Sequence, residues 1–163
     1  MKEHVRLENA HDFPACIAEF GRARYEVIAD DAVFEGPQRV DDFLCENRRA
    51  FPDFHFEATR VVAAGDAVLA EGSFTGTHEC PYRGLPATGR RVKFPMCVVF
   101  DFEGDVMVNE RLYFDIGTPL RQLGVAYDPD SPRGKFCTLL GHPVTISRAV
   151  LRTAWLKLRR RRR

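Results

Sequence analysis

No apolar stretch in this sequence approaches the roughly 20 residues that a membrane-spanning helix needs, so no transmembrane segment is expected. The opening MKEHVRLENAHDF is too charged for a secretory signal. Five cysteines, at 16, 45, 80, 97 and 137, make an odd count with no CxxC pair. That excludes a disulfide framework or a zinc site and points to reduced thiols in a cytoplasmic protein. There is no P-loop, Rossmann glycine pattern, HExxH, GxSxG or cluster of metal ligands. Neither a metal nor an organic cofactor is therefore expected. What is present is ordinary globular composition, 45 % apolar and 29 % charged over 163 residues, enough to bury a core without cross-links.

The formal net charge of +1 hides an asymmetry. Residues 1–124 carry 14 Lys and Arg against 21 Asp and Glu, a net of −7. Residues 125–163 carry 10 against 2, a net of +8. We read a folded body over 1–124 and a basic helical extension over 125–163. The acidic body lacks the basic face of a specific nucleic-acid binder.

Helical spacing covers residues 2–10, a segment opening at Asp12 with Pro14 in its first turn, and residues 37–50. The segments 22–29 and 33–35 read as strands. From Phe54 to Asp115 the period changes to two, and four long strands fit: 54–63, 67–79, 91–102 and 106–115. Gly65-Asp66 and Gly104-Asp105 supply hairpin turns, and residues 80–90 form a longer ordered loop. Helices followed by a run of antiparallel strands predict an α+β fold.

Alternation puts Phe54, Phe56, Ala58 and Val62 of the first long strand inward, with Arg60 as a misfit. It likewise turns inward Phe74 and His78 on the second, Met96 and Phe100 on the third, and Val106, Val108, Glu110, Leu112 and Phe114 on the fourth. A carboxylate on such a face costs several kcal/mol unless it is paired or neutralised. Glu110 is thus a candidate general acid or base, with His78 and Tyr25 to orient or polarise a carbonyl. Phe54, Phe74, Met96, Phe100 and Leu112 would form the walls of a substrate pocket, and Arg60 would clamp an anion. A structural alternative pairs Glu110 with Arg60 or Arg111 and leaves His78 satisfied by backbone. Asp115 reads as a helix cap, Asp53 as a turn residue, and Cys97 lacks a positive neighbour to activate it.

The segments FPDFHFE (51–57), GTHE (76–79), GLPATGRR (84–91) and ERLYFDIGTPLRQLG (110–124) occur in that order. As a set they resemble the SnoaL-like polyketide cyclases of the nuclear transport factor 2-like superfamily. The resemblance implies a cone-shaped fold in which a curved antiparallel sheet encloses an apolar pocket for a small apolar substrate or ligand. It also implies a homodimer through the outer sheet face, and aldol chemistry without metal or cofactor. The family's acid/base aspartate falls at Leu112 and its histidine at Cys97 or Val98. That pair is absent, and Glu110, two residues earlier on the same face, is the nearest carboxylate. The expected function is a cyclase, isomerase or lyase; the alternatives are a non-catalytic binder of the same fold and a scaffold.

In the extension, Ser131-Pro132 starts one helix and Gly141 stops it. A second helix from Pro143 carries Val144, Ser147, Leu151, Ala154, Trp155 and Leu158 on one stripe, with Arg148, Arg152 and Arg159 off it. Such a stripe packs on the acidic body or a dimer mate, lies on an anionic membrane surface, or stays solvated. Arg159–Arg163 is expected to be a solvated end.

Overall fold

The computed structural model describes residues 1–161. These divide into two compact units with the boundary between Leu123 and Gly124.

The first unit opens with α1 (Lys2–Asn9) and α2 (Phe13–Ala18). The Asp12 carboxylate caps α2 by accepting the Ala15 N–H at 3.3 Å, and Pro14 occupies the first turn. There follow β1 (Arg24–Val27), β2 (Ala32–Glu35) and α3 (Pro37–Ala50). β1 is shorter than the alternation at 22–29 suggests. Ile28–Asp30 wraps into a 3-10 turn, and Asp31 takes a left-handed conformation to reverse the chain. The long strands are β3 (His55–Ala64), β4 (Ala67–Thr77), β5 (Arg91–Glu103) and β6 (Val106–Tyr113), closed by α4 (Gly117–Gln122). Gly65 and Gly104, both at φ +63, make the two hairpin turns.

The six strands form one mixed sheet in the order β2-β1-β6-β5-β4-β3. Only β1 and β6 run parallel, pairing Tyr25 with Glu110 and Val27 with Leu112. The sheet is antiparallel but for that one pair, in the α+β arrangement expected.

Two bulges bend the long strands and change which residues face inward. In β3 the pairing steps from Ala58↔Gly72 to Arg60↔Glu71, leaving Thr59 unpaired. Gly72 allows this close approach, since a Cβ there would meet the Glu57 carbonyl oxygen at 2.1 Å. Beyond the bulge Arg60 turns outward and bonds Glu71 at 3.3 Å, both well exposed. The inward Arg60 expected from simple alternation is corrected accordingly. In β5–β6 the register steps from Asp101↔Asn109 to Phe102↔Met107. Met107 is therefore buried, whereas Val106 is 48 % exposed, reversing the faces expected there.

The inner sheet face carries an aromatic ladder. Ring centroids of Phe54 and Phe74 lie 5.9 Å apart, Phe74 and Phe94 5.0 Å, and Phe94 and Phe114 5.2 Å. Burying one such side chain stabilises by about 1.5–3 kcal/mol, and offset ring pairs add to it. Tyr25, Val40, Phe43 and Leu44 complete this core. A second cluster gathers Phe56, Ala70, Val98, Phe100 and Met107.

The second unit contains α5 (Pro132–Gly141), capped by Ser131 through the Gly134 N–H at 2.9 Å, and α6 (Pro143–Arg161). Val144, Leu151 and Trp155 of the α6 stripe are exposed, and the Arg159 guanidinium lies 4.5 Å from the Trp155 ring centroid. The side chains of Ala154, Leu158, Arg160 and Arg161, and residues 162 and 163, lie outside the described residues, and with them most of the end expected to be solvated. Among the described residues no helix is long and apolar enough to cross a membrane.

Candidate active site

Strand alternation places Glu110 of β6 on the inner face, between Phe100 of β5 and Tyr25 of β1. It is 1 % exposed and reaches the wall of a cavity of about 350 Å³. That volume suits a small organic molecule. The cavity is mostly apolar: Phe54, Phe74, Met96, Phe100 and Leu112 all line it.

α1 supplies the rest of the site. His4 and Glu8 are four residues apart, so they lie one turn apart on one helix face. The helix is pinned to the edge of β3 by Asn9, whose side chain donates to the Phe56 carbonyl at 2.9 Å and accepts the Phe56 N–H at 2.8 Å. His4 is fully buried. Its Nε2 lies 2.9 Å from Glu110 Oε2 and 3.0 Å from the Tyr25 hydroxyl. With the proton on Nε2 the ring donates to Glu110; with it on Nδ1, Nε2 accepts from Tyr25. Glu8 lines the same cavity, half-buried, and has no hydrogen-bond partner among the described residues.

One side-chain atom of each of His4, Glu8 and Glu110 lies within 4.8 Å of the others. Two ionised carboxylates at that separation repel by roughly 3–4 kcal/mol at an effective dielectric of about 20. Burial, and then the charge of Glu110, push the Glu8 carboxyl well above the usual carboxylate range. The same causes hold the Tyr25 phenol well above its ordinary value, so it remains a hydroxyl. Burial likewise raises the thiol of Cys16, whose sulfur touches the His4 ring at 3.5 Å, and that of Cys97. Neither is poised as a nucleophile. His4, Glu8 and Glu110 are also donor types that a divalent cation takes. The existing contacts of His4 Nε2 with Glu110 and Tyr25 are accounted for by protons alone.

A second polar cluster in the wall is charge-matched. Arg83 bonds Asp30 and lies over the Tyr82 ring at 5.2 Å, while Tyr82 donates to Asn47 at 2.9 Å. Arg83 is held in a left-handed turn of the 80–90 loop.

Three sequence-selected residues sit differently from expectation. His78 is fully buried but does not line the cavity. Its Nδ1 accepts the Thr88 N–H at 3.2 Å, and its ring stacks on Phe51 at 5.2 Å, so it fastens the 80–90 loop, while its buried Nε2 has no partner among the described residues. Tyr25 is also absent from the wall and meets His4 from behind. Arg60 is on the outer face. Arg111 is bonded to Asp101, so neither arginine pairs with Glu110. His4 and Glu8 escaped the sequence reading. The signal available was an i, i+4 pair of ionisable residues on a short helix that also buries Leu7. Asp115 caps α4 through Gly117 and Thr118, and Asp53 holds Thr77 at 2.6 and 2.8 Å.

The family model for SnoaL-like polyketide cyclase matches residues 8–123. The chain belongs to this family. Its fold is that of several solved structures. TsrD from Streptomyces laurentii is 24 % identical with a TM-score of 0.65, over 76 % of this chain and 92 % of that one. AclR from Streptomyces galilaeus is 22 % identical with a TM-score of 0.66, over 77 % and 83 %. A protein with a ketosteroid isomerase-like fold from Catenulispora acidiphila, solved in complex with trimethylamine, is 19 % identical with a TM-score of 0.62, over 76 % and 92 %. No curated protein matches the chain. In this SnoaL-like protein Leu112 and Val98 face the cavity as apolar wall. Glu110 lies about 6.6 Å further back along the strand from Leu112. The imidazole comes from His4, ahead of the matched segment.

Proposed function

We propose that this SnoaL-like protein is an enzyme performing cofactor-independent acid–base chemistry on a small, largely apolar carbonyl compound. The reaction begins by enolisation and ends in cyclisation, isomerisation or elimination. The observation that supports this reading is the Glu110 carboxylate, buried under His4 and Tyr25 yet open to an apolar cavity. A base must come within about 3 Å of the proton it removes. With Oε2 held by His4, the other Glu110 oxygen is left for the substrate. His4 and Tyr25 are positioning residues: His4 meets the carboxylate and fixes its rotamer, and the Tyr25 hydroxyl holds the His4 ring in turn. The aromatic ladder excludes water, which strengthens every charge interaction inside.

The test needs no native substrate. The α-protons of 2-tetralone, a bicyclic aryl ketone, exchange with deuterium when enolised, and proton NMR follows the exchange. The wild-type protein is expected to accelerate exchange over buffer. Glu110→Gln is expected to fold and bind the ketone but lose about 10²–10⁴-fold of the rate. Binding without acceleration in the wild type would instead make this a non-catalytic binding protein.

A further inference from the structure

We propose that Glu8 is a second catalytic group of this cavity, a neutral carboxylic acid that protonates the carbonyl oxygen while Glu110 takes the α-proton. The proposal deepens the acid–base reading above and rests on it.

Glu8 and Glu110 approach each other from different elements, α1 and β6, and both open into the same cavity. The groups facing this pair are His4 of α1, Tyr25 of β1 and Cys16 of α2; none is a permanent cation. The cavity's one permanent cation among the described residues, Arg83, is already engaged by Asp30. Like charges so placed cannot both form at modest cost, so the pair holds one proton. The hydrogen bonds decide where it resides. With its proton on Nε2, His4 gives Glu110 a hydrogen-bond donor. Glu8 has none, and burial favours its acid form.

The step then balances. Glu110 removes the proton α to the carbonyl, and the C–H pair becomes the C=C bond of the enol. The carbonyl π pair moves to oxygen, which receives the Glu8 proton. Glu110 ends protonated and Glu8 ionised, and the pair keeps one negative charge throughout. A substrate whose buried end is a carboxylate is excluded by that charge; an uncharged ketone is accepted.

Infrared spectroscopy reads the proton directly. The wild-type protein near neutral pH is expected to show a protonated-carboxyl band. The band is expected to vanish in Glu8→Gln and persist in Glu110→Gln. Exchange of 2-tetralone is expected to fall at least about tenfold in Glu8→Gln, on the scale of acid–base contributions. In Glu8→Asp, which keeps the acid but withdraws it by one methylene, the band stays and exchange falls. A wild type without the band, or a band kept in Glu8→Gln, overturns the proposal. So does exchange lost in Glu110→Gln but unchanged in Glu8→Gln, which leaves the acid–base reading standing. No exchange in the wild type overturns both. Exchange abolished by a chelator and restored by a divalent cation would replace the shared proton with a metal.

Discussion

The cavity wall contains two polar clusters assembled on opposite terms. At Asp30, Arg83, Tyr82 and Asn47, each charge meets its counter-charge and each polar group a partner. At Glu8, His4 and Glu110, two carboxylates crowd one imidazole, and Glu8 is left without a partner. The first arrangement needs no further explanation than holding the 80–90 loop against the 3-10 turn. The second is unfavourable for folding alone, because two carboxylates this close repel and a half-buried acid without a partner has nothing to offset its desolvation. Mismatched charge in an otherwise apolar cavity is where chemistry is to be sought.

The largest effect that would sharpen this contrast is the loss of exchange in Glu110→Gln. A loss of about 10²–10⁴-fold corresponds to roughly 2.7–5.4 kcal/mol of transition-state stabilisation. Next comes Asn9→Ala. It removes two hydrogen bonds that fasten α1 to Phe56, a loss of about 1–3 kcal/mol in urea unfolding. Because α1 carries both His4 and Glu8, exchange is expected to fall with it while ketone binding weakens little. Equal loss of binding and rate would show that Asn9 shapes the whole cavity and not one cluster.

Much of the frame was legible from periodicity. The change from helical spacing to a period of two at Phe54, and the apolar face of β5, locate the core and bring Glu110 inward. Two features hid the rest. A bulge shifts a register by one residue, and nothing in the local pattern at Thr59 or Val108 announces it. Arg60 and Val106 therefore changed faces. The site also joins α1 to β6 across more than 100 residues, a juxtaposition only the tertiary fold creates. His78 shows the converse: its inward position was legible, but its Thr88 partner lies across a loop whose return path the pattern does not give.

A smaller effect tests the energetic side of the contrast. In the folded chain the Glu8 carboxyl titrates well above its usual 4.5. Between those two values the native state binds more protons than the unfolded chain. Stability from this group is thus greatest below about pH 4.5 and declines as pH rises through the window. Glu8→Gln removes that decline. The variant is expected to be more stable than the wild type at neutral pH, by on the order of 0.5–2 kcal/mol, with the difference shrinking toward acid in parallel urea titrations. A variant less stable at neutral pH would mean that Glu8 is satisfied in the fold, and the two clusters would no longer differ.

The smallest expected change lies in the matched cluster. Arg83→Met removes an ion pair whose side chains are 39 % and 20 % exposed, together with a cation–π contact. Partly exposed pairs contribute about 0–1 kcal/mol, and the contact over Tyr82 about 0.5–1 kcal/mol. Asp30 is left with access to solvent, so no stranded buried charge enlarges the loss. The urea midpoint should move little, and 2-tetralone exchange should stay within about threefold of wild type, less than the tenfold step that 1.4 kcal/mol represents. A loss of exchange approaching that of Glu110→Gln would place Arg83 against the substrate. Charge matching would then be no guide to which polar groups in this cavity are structural.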